Sequence, residues 1–244
     1  MIAEDLDHRV WAALRPVDAC TGQTVDAQVL GEGQHWLRNR SGLWVLNGLA
    51  PPTPRQPEWQ AYEDSFDAPI ALAPLVLRVS LQAVSQRYLA RRFTLTLPRS
   101  DQGAQPPLFT PQDVPMYRSS AGSLGLGWAL LRLSLTRQGQ PAAGAVFSVH
   151  TGDTSTPRLG RGQTDARGEG VLAVTDQPHF LPSAGPQPFT RERTLNVHGV
   201  FEPAALADPD PDDLATRSGA GFVAFSAVVT LASGRSTVLA LDLP

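Results

Sequence analysis

Residues 11–29, WAALRPVDACTGQTVDAQV, lie over residues 128–146, WALLRLSLTRQGQPAAGAV, without a gap at an offset of 117. Trp11/Trp128, Ala12/Ala129, Leu14/Leu131, Arg15/Arg132, Gly22/Gly139, Gln23/Gln140 and Val29/Val146 are identical. Self-similarity at a fixed offset means that one structural unit is used twice, so the fold is decided at the level of the half-chain. A chain of 244 residues accommodates two such units at the usual domain size of roughly 100–150 residues.

Beyond a variable insertion the correspondence resumes. Asn39-Arg-Ser-Gly42, followed by LWVL, matches Asp165-Ala-Arg-Gly168, followed by EGVLAV. A polar residue three places before a glycine starts a turn and the glycine accepts a positive φ, so each segment reads as a hairpin corner. The flanking segments alternate with period two, as half-buried strands require. Leu131, Leu133 and Leu135 point one way and Arg132, Ser134 and Thr136 the other. The same holds for Leu75 to Leu81, Phe93 to Leu97 and Leu239 to Leu243. The run 223–231, VAFSAVVTL, is apolar at successive positions and predicts a central strand. Helix is expected only in short pieces, at 2–7 and around 203–216. The organisation predicted is a first β-sandwich over 1–98, a Pro/Gly-rich connector over 99–127 and a second β-sandwich over 128–244. Within the connector, LFTPQDVPMY carries apolar anchors between prolines and is expected to lie extended and docked, either against its own domains or against a partner.

Composition narrows the partners. The 22 prolines and 21 glycines favour an all-β protein rich in turns. A formal net charge of −3 gives no concentrated basic surface for nucleic acid or an anionic membrane, and neither is predicted as a partner. Every basic side chain other than histidine is arginine. Cys20 is the only cysteine, so no internal disulfide can form. The opening residues lack the basic and apolar regions of a secretory signal, and no apolar run reaches the ~20 residues of a spanning helix. A soluble, cytoplasmic protein is expected, with export only as part of a particle.

The segment Gly139-Gln-Pro-Ala-Ala-Gly-Ala-Val146, then Thr164-Asp165-Ala-Arg-Gly168 and the strand GVLAV, resembles the carboxypeptidase regulatory-like domain. That family has a transthyretin-like (prealbumin-type) β-sandwich fold. The resemblance covers about forty residues, and the first half joins it through the repeat, with Asn39 where the second half has Asp165. It implies two tandem transthyretin-like/Ig-like antiparallel β-sandwiches, of a kind used mostly for scaffolding, adhesion or docking. The fold class also includes hydrolases of purine breakdown, but their C-terminal Tyr-Arg-Gly-Ser is absent from this chain, which ends LALDLP. In overall style the tandem pair resembles accessory structural proteins of phage-tail-like contractile injection systems.

Motifs that carry chemistry are sparse. The five histidines, at 8, 35, 150, 179 and 198, show no metal-ligand spacing, and no nucleophile elbow, P-loop or dinucleotide fingerprint occurs. No catalytic residue, cofactor or metal is therefore predicted. His150 beside Thr151-Gly-Asp153 reads as a polar strand end, with an acid–base pair as the alternative. Arg158-Leu-Gly-Arg-Gly162 reads as a hairpin loop, with an anion cradle as the alternative. The acidic run Asp208-Pro-Asp210-Pro-Asp212-Asp213 reads as a solvated loop, with a Ca²⁺ site as the alternative.

Candidate interaction residues are the aromatics Trp36, Trp44, Trp59 and Tyr62, with Phe66 nearby, since exposed aromatics carry much of the energy at interfaces, with packing in the sandwich core as the alternative for the tryptophans. To these are added the basic patch Arg87, Tyr88, Arg91 and Arg92, and the connector anchors Phe109, Met116 and Tyr117. Trp11 and Trp128 are expected to be structural. The reading is a non-enzymatic structural or assembly protein bridging other protein subunits, with a carbohydrate or cell-surface binding module as the alternative. Open sandwich edges leave homo-oligomerisation available.

Overall fold

The computed structural model describes residues 10–50, 53–64, 74–97, 110–121, 127–175, 192–204 and 209–244. The first sandwich contains β1 (Ala12–Asp18), β2 (Ala27–Leu30), β3 (Gln34–Arg38), β4 (Trp44–Leu49), β5 (Leu75–Ala83), β6 (Arg91–Leu97) and β7 (Gln112–Met116), with helix α1 (Gln56–Asp64) between β4 and β5. The second contains β8 (Ala129–Arg137), the two-residue β9 (Gln140–Pro141), β10 (Val146–His150), β11 (Arg158–Gln163), β12 (Glu169–Val174), β13 (Glu192–Phe201), β14 (Val223–Ala232) and β15 (Ser236–Leu243). A helical turn, α2 (Pro211–Leu214), sits between β13 and β14. The protein is all-β, built as two sandwiches.

The repeat is visible in the pairing. One sheet of the first sandwich runs β3-β4-β1-β7 and the other β2-β5-β6; in the second sandwich the orders are β12-β8-β15 and β11-β10-β13-β14. Thus β1 corresponds to β8, β4 to β12, β2 to β10, β5 to β13, β6 to β14 and β7 to β15. The third strand changes sheets, since β3 pairs with β4 but β11 pairs with β10. An edge strand can exchange sheets in this way because it loses only one ladder. Each sandwich has its own core. In the first, Leu14, Leu46, Leu77, Leu81, Leu95 and Met116 are fully buried, and in the second Leu131, Leu133, Leu135 and Phe147 are.

Asn39 and Asp165 shape their hairpins identically. The N–H of Leu43 donates to the Asn39 side chain at 2.9 Å and that of Glu169 to Asp165 at 3.1 Å. Gly42 and Gly168 have φ of 77° and 75°. The arms that follow differ by two residues in register, since Leu14 faces Trp44 whereas its counterpart Leu131 faces Leu172. A two-residue shift keeps every side chain on its original face, so both sheets keep their apolar side inward.

Four sequence expectations are corrected. The sandwiches are not wholly antiparallel: β7 lies parallel to β1, and β15 parallel to β8. Residues 112–116 of the predicted connector form β7, with Val114 and Met116 in the first core, so the first sandwich extends past residue 98. The run 223–231 lies in β14, an edge strand whose outward row includes Val228 at 66% exposure. Its outward residues Ala224, Ser226 and Thr230 are small or hydroxylated, and water tolerates them. Arg158–Gly162 is strand rather than loop, and its glycines have a packing reason. A Cβ at Gly160 would press on Leu172 and one at Gly162 on Phe147. The helical turn falls within 203–216 as expected, whereas α1 was not foreseen; residues 2–7 lie outside the described residues.

Candidate functional site at the junction of the two sandwiches

Asp18 ends β1 with 2% of its surface exposed. In the repeat its counterpart is the core residue Leu135. A buried carboxylate persists only when its oxygens are paired, and these are. One oxygen accepts the backbone N–H groups of Cys20 (2.7 Å) and Thr21 (3.0 Å). The other accepts the Tyr88 hydroxyl (2.7 Å) and the Arg118 guanidinium. Arg118 in turn lies over the rings of Tyr88, at 5.7 Å, and Trp128, at 5.0 Å. Trp128 immediately precedes the second sandwich, so this charged, stacked group holds the two units together. Burial pushes the Cys20 thiol upward, while a hydrogen bond with the Ala173 backbone of the second sandwich acts against it.

A second cluster lies across the same junction. Arg91, 2% exposed, donates to the Pro115 carbonyl at 2.6 Å and to Asp212. Arg161 of β11 donates to the other Asp212 oxygen at 2.6 Å and to the Pro211 carbonyl. Both guanidiniums lie over Tyr117, at 5.2 and 5.7 Å. Asp210 caps α2 through the N–H of Asp212 and also accepts the Thr94 N–H of β6 at 3.0 Å. Asp213 pairs with Arg217. Asp210 and Asp212 thus reach across to the first sandwich, while Asp213 pairs locally and, like Asp212, keeps about half its side chain in solvent; Asp208 lies outside the described residues. The chain leaving β7 is fixed on the far side too, where Arg167 donates to the Ser120 hydroxyl at 2.6 Å and Arg132 to the Ser120 carbonyl at 3.2 Å.

The predicted interaction residues separate accordingly. Arg91, Met116 and Tyr117 are buried, in the junction or the first core, and Trp59 is buried beneath Arg55. Arg91 is thereby corrected from surface to interior, whereas Trp59 takes the core place and Met116 and Tyr117 the docking against the chain's own domains that the sequence left open. In each case an apolar ring or stem gains more from the adjoining sheet than from water. Trp36 and Trp44 are half-buried against the first core, their indole N–H groups donating to Gln34 and to the Ala27 carbonyl. They form no open stacking platform with Trp59. Tyr88 is half-buried in the junction, and Arg87 and Arg92 are exposed. The side chain of Tyr62, on α1, and the whole of Phe66 and Phe109 lie outside the described residues. Trp11 is a core residue and Trp128 a junction residue.

The outer face of the β11-β10-β13-β14 sheet carries a cleft of about 840 Å³, close to this junction. It brings together two motifs that stand apart in sequence, the His150 strand end and the Arg158–Gly162 strand. His150 Nδ1 is 3.0 Å from the Thr156 carbonyl, which can only accept, so Nδ1 carries a proton. In the neutral ring Nε2 then accepts the Ser148 hydroxyl at 2.9 Å. Asp153 does not pair with His150; its carboxylate takes the hydroxyl and N–H of Ser155, which hold its carboxyl below the usual range. Among the described residues no group of three or more His, Cys, Asp or Glu side chains is placed to hold a metal ion, and no helix is long and apolar enough to cross a membrane.

No protein-family model matches the chain, and no curated protein matches it.

Burial and the bond to Asp18 together raise the Tyr88 phenol from its ordinary value near 10 to about 12. The folded chain therefore holds this proton more tightly than the unfolded chain does. Stability is unaffected by it below pH 10 and falls as the pH rises from about 10 to about 12. Urea unfolding across that interval, compared with the Tyr88→Phe variant, checks this: the variant is expected to show a shallower alkaline loss.

Proposed function

We propose that the chain is a non-enzymatic structural protein that bridges subunits of a larger assembly, with a phage-tail-like contractile particle as the setting. The observation that carries the reading is the junction. Two sandwiches tied by Arg118 stacked on Trp128, by Asp212 with Arg91 and Arg161, and by Ser120 with Arg132 and Arg167 form a spacer that holds its two ends at a set separation. A protein that only carried two independent binding modules would have no need of a clasp that buries the Arg91 and Arg161 guanidiniums, which costs desolvation and returns geometry.

The partner surface assigned to this role is the β14 edge. Its ten residues include no charged side chain, and among the described residues it pairs only with β13. Beside it β15 also ends its sheet, with Val238 at 70% exposure. Long uncharged edges are templates for strand addition by another chain.

Affinity purification of the tagged chain from its native host, with mass spectrometry and electron microscopy of the eluate, tests the proposal. Sheath, tube or baseplate subunits are expected to co-purify, and Val228→Arg is expected to release them without shifting the unfolding midpoint. A chain that elutes alone in several growth states overturns it.

A further inference from the structure

The cleft on the second sandwich is unusual in its charge. The protein as a whole is acidic, with 23 carboxylate residues against 20 arginines. Every charged or titratable residue lining the cleft is nevertheless basic: Arg158, Arg161, Arg217, His150 and His198. Two of the arginines are already neutralised, Arg161 by Asp212 and Arg217 by Asp213. Arg158 differs. It is exposed, and its guanidinium makes no hydrogen bond or ion pair among the described residues. Its backbone lies opposite His150 in the β10–β11 ladder, next to the irregularity between Val149 and His150. The two imidazoles meet edge to face at 5.7 Å, with His198 Nε2 3.4 Å from the Gly152 carbonyl.

Around these groups the wall supplies hydroxyls from Ser148, Thr154, Thr156, Thr216 and Ser218. Ser148 gives its proton to His150, which leaves its oxygen as an acceptor in the cleft wall. An unpaired guanidinium suits an oxyanion, to which it donates two parallel N–H bonds. The Thr156 and Thr216 protons go to the Asp153 and Asp213 carbonyls, so these hydroxyls, like Ser148, accept, while Thr154 and Ser218 can also donate, a mixture that suits the alcohol groups of a polyol. The volume lies within the range that small-ligand sites occupy, roughly 300–1,000 Å³.

We propose that this cleft binds a small polyhydroxylated oxyanion, a sugar phosphate or a sugar acid, with Arg158 on the anionic group and the hydroxyl wall on the polyol. The site is independent of the assembly reading; of the β14 residues only Ala224, near the start of the strand, lines the cleft. Calorimetric titration of the full chain with glucose 6-phosphate, glucuronate, inorganic phosphate and glucose decides it. At least one of the two charged sugars is expected to bind, and glucose is expected not to. Which of them binds distinguishes phosphate from carboxylate as the anionic group. Arg158→Ala, at an exposed position with no described partner, is expected to weaken binding about tenfold with the fold intact. Ser148→Ala is expected to weaken the sugar anion more than inorganic phosphate. Absence of binding by both charged sugars, binding of glucose equal to theirs, or indifference to Arg158→Ala overturns the proposal.

Discussion

Replacing Asp18 with alanine is expected to cost about 3–5 kcal/mol of folding stability, the usual penalty for breaking a buried, fully paired charge. The substitution removes the acceptor for four donors at once: the N–H groups of Cys20 and Thr21, the Tyr88 hydroxyl and the Arg118 guanidinium. Arg118 would then be left largely buried beside Trp128 with its countercharge gone. Asp18→Asn keeps the shape and part of the hydrogen bonding, so it should cost less than alanine does. Asp18→Leu, which copies the repeat-related Leu135, supplies apolar volume but still strands Arg118. Urea denaturation of the three variants measures the order. If Asp18→Leu proves as stable as the parent, the carboxylate contributes nothing net to holding the junction.

The second large effect is expected at Gly168, and its repeat partner Gly42 provides the control. Both have a left-handed φ near 75°, which by itself costs an alanine about 1–2 kcal/mol. Around Gly42 nothing lies within 4 Å of an added Cβ. At Gly168 the Cβ would collide with the Leu135 carbonyl oxygen and lie 3.1 Å from the Ala142 backbone nitrogen. Backbone cannot swing aside as a flexible side chain does. The turn must therefore move and surrender the Leu135 N–H bond to the Gly168 carbonyl. Gly168→Ala should cost about 4 kcal/mol or more, and Gly42→Ala about 1 kcal/mol. Thermal unfolding of the two variants checks the difference, and equal losses would mean that φ alone sets the cost.

These two pairs also mark what could be read without coordinates. The offset of 117 correctly matched β1 with β8 and β2 with β10, and the Asn39 and Asp165 corners have the turn chemistry that their residues dictate. What alternation could not supply was the neighbour of each strand. VAFSAVVTL has apolar residues on both faces, a pattern shared by a central strand and by an edge strand whose outward residues are small, so β14 was placed in the middle. The junction was hidden for a different reason. Asp18 finds Tyr88 and Arg118 at sequence separations of 70 and 100, and Arg91 finds Asp212 at 121. One local signal did exist, since Asp18 stands where the repeat has a leucine in the inward row. A carboxylate in an apolar row asks for a partner, and that question leads to the junction. Arg91, likewise, was read as surface because its charge was visible and its stacking on Tyr117 was not.

The parallel strands have a bearing on the order in which the molecule can come into being. In both units the last strand, β7 or β15, closes its sheet by lying alongside the first, β1 or β8. A ribosome therefore releases six strands of the first unit before the seventh, and the sheet waits with one flank of β1 open until Met116 has emerged. Parallel closure joins residues far apart in the chain, which makes it a late and slow event in folding. In the second unit the same flank of β8 waits for β15, up to Leu243. The Asp212 clasp arrives just ahead of that last strand. Each unit thus closes only once its own last strand has been delivered, and the Asp212 tie between the units forms only when most of the second unit already exists.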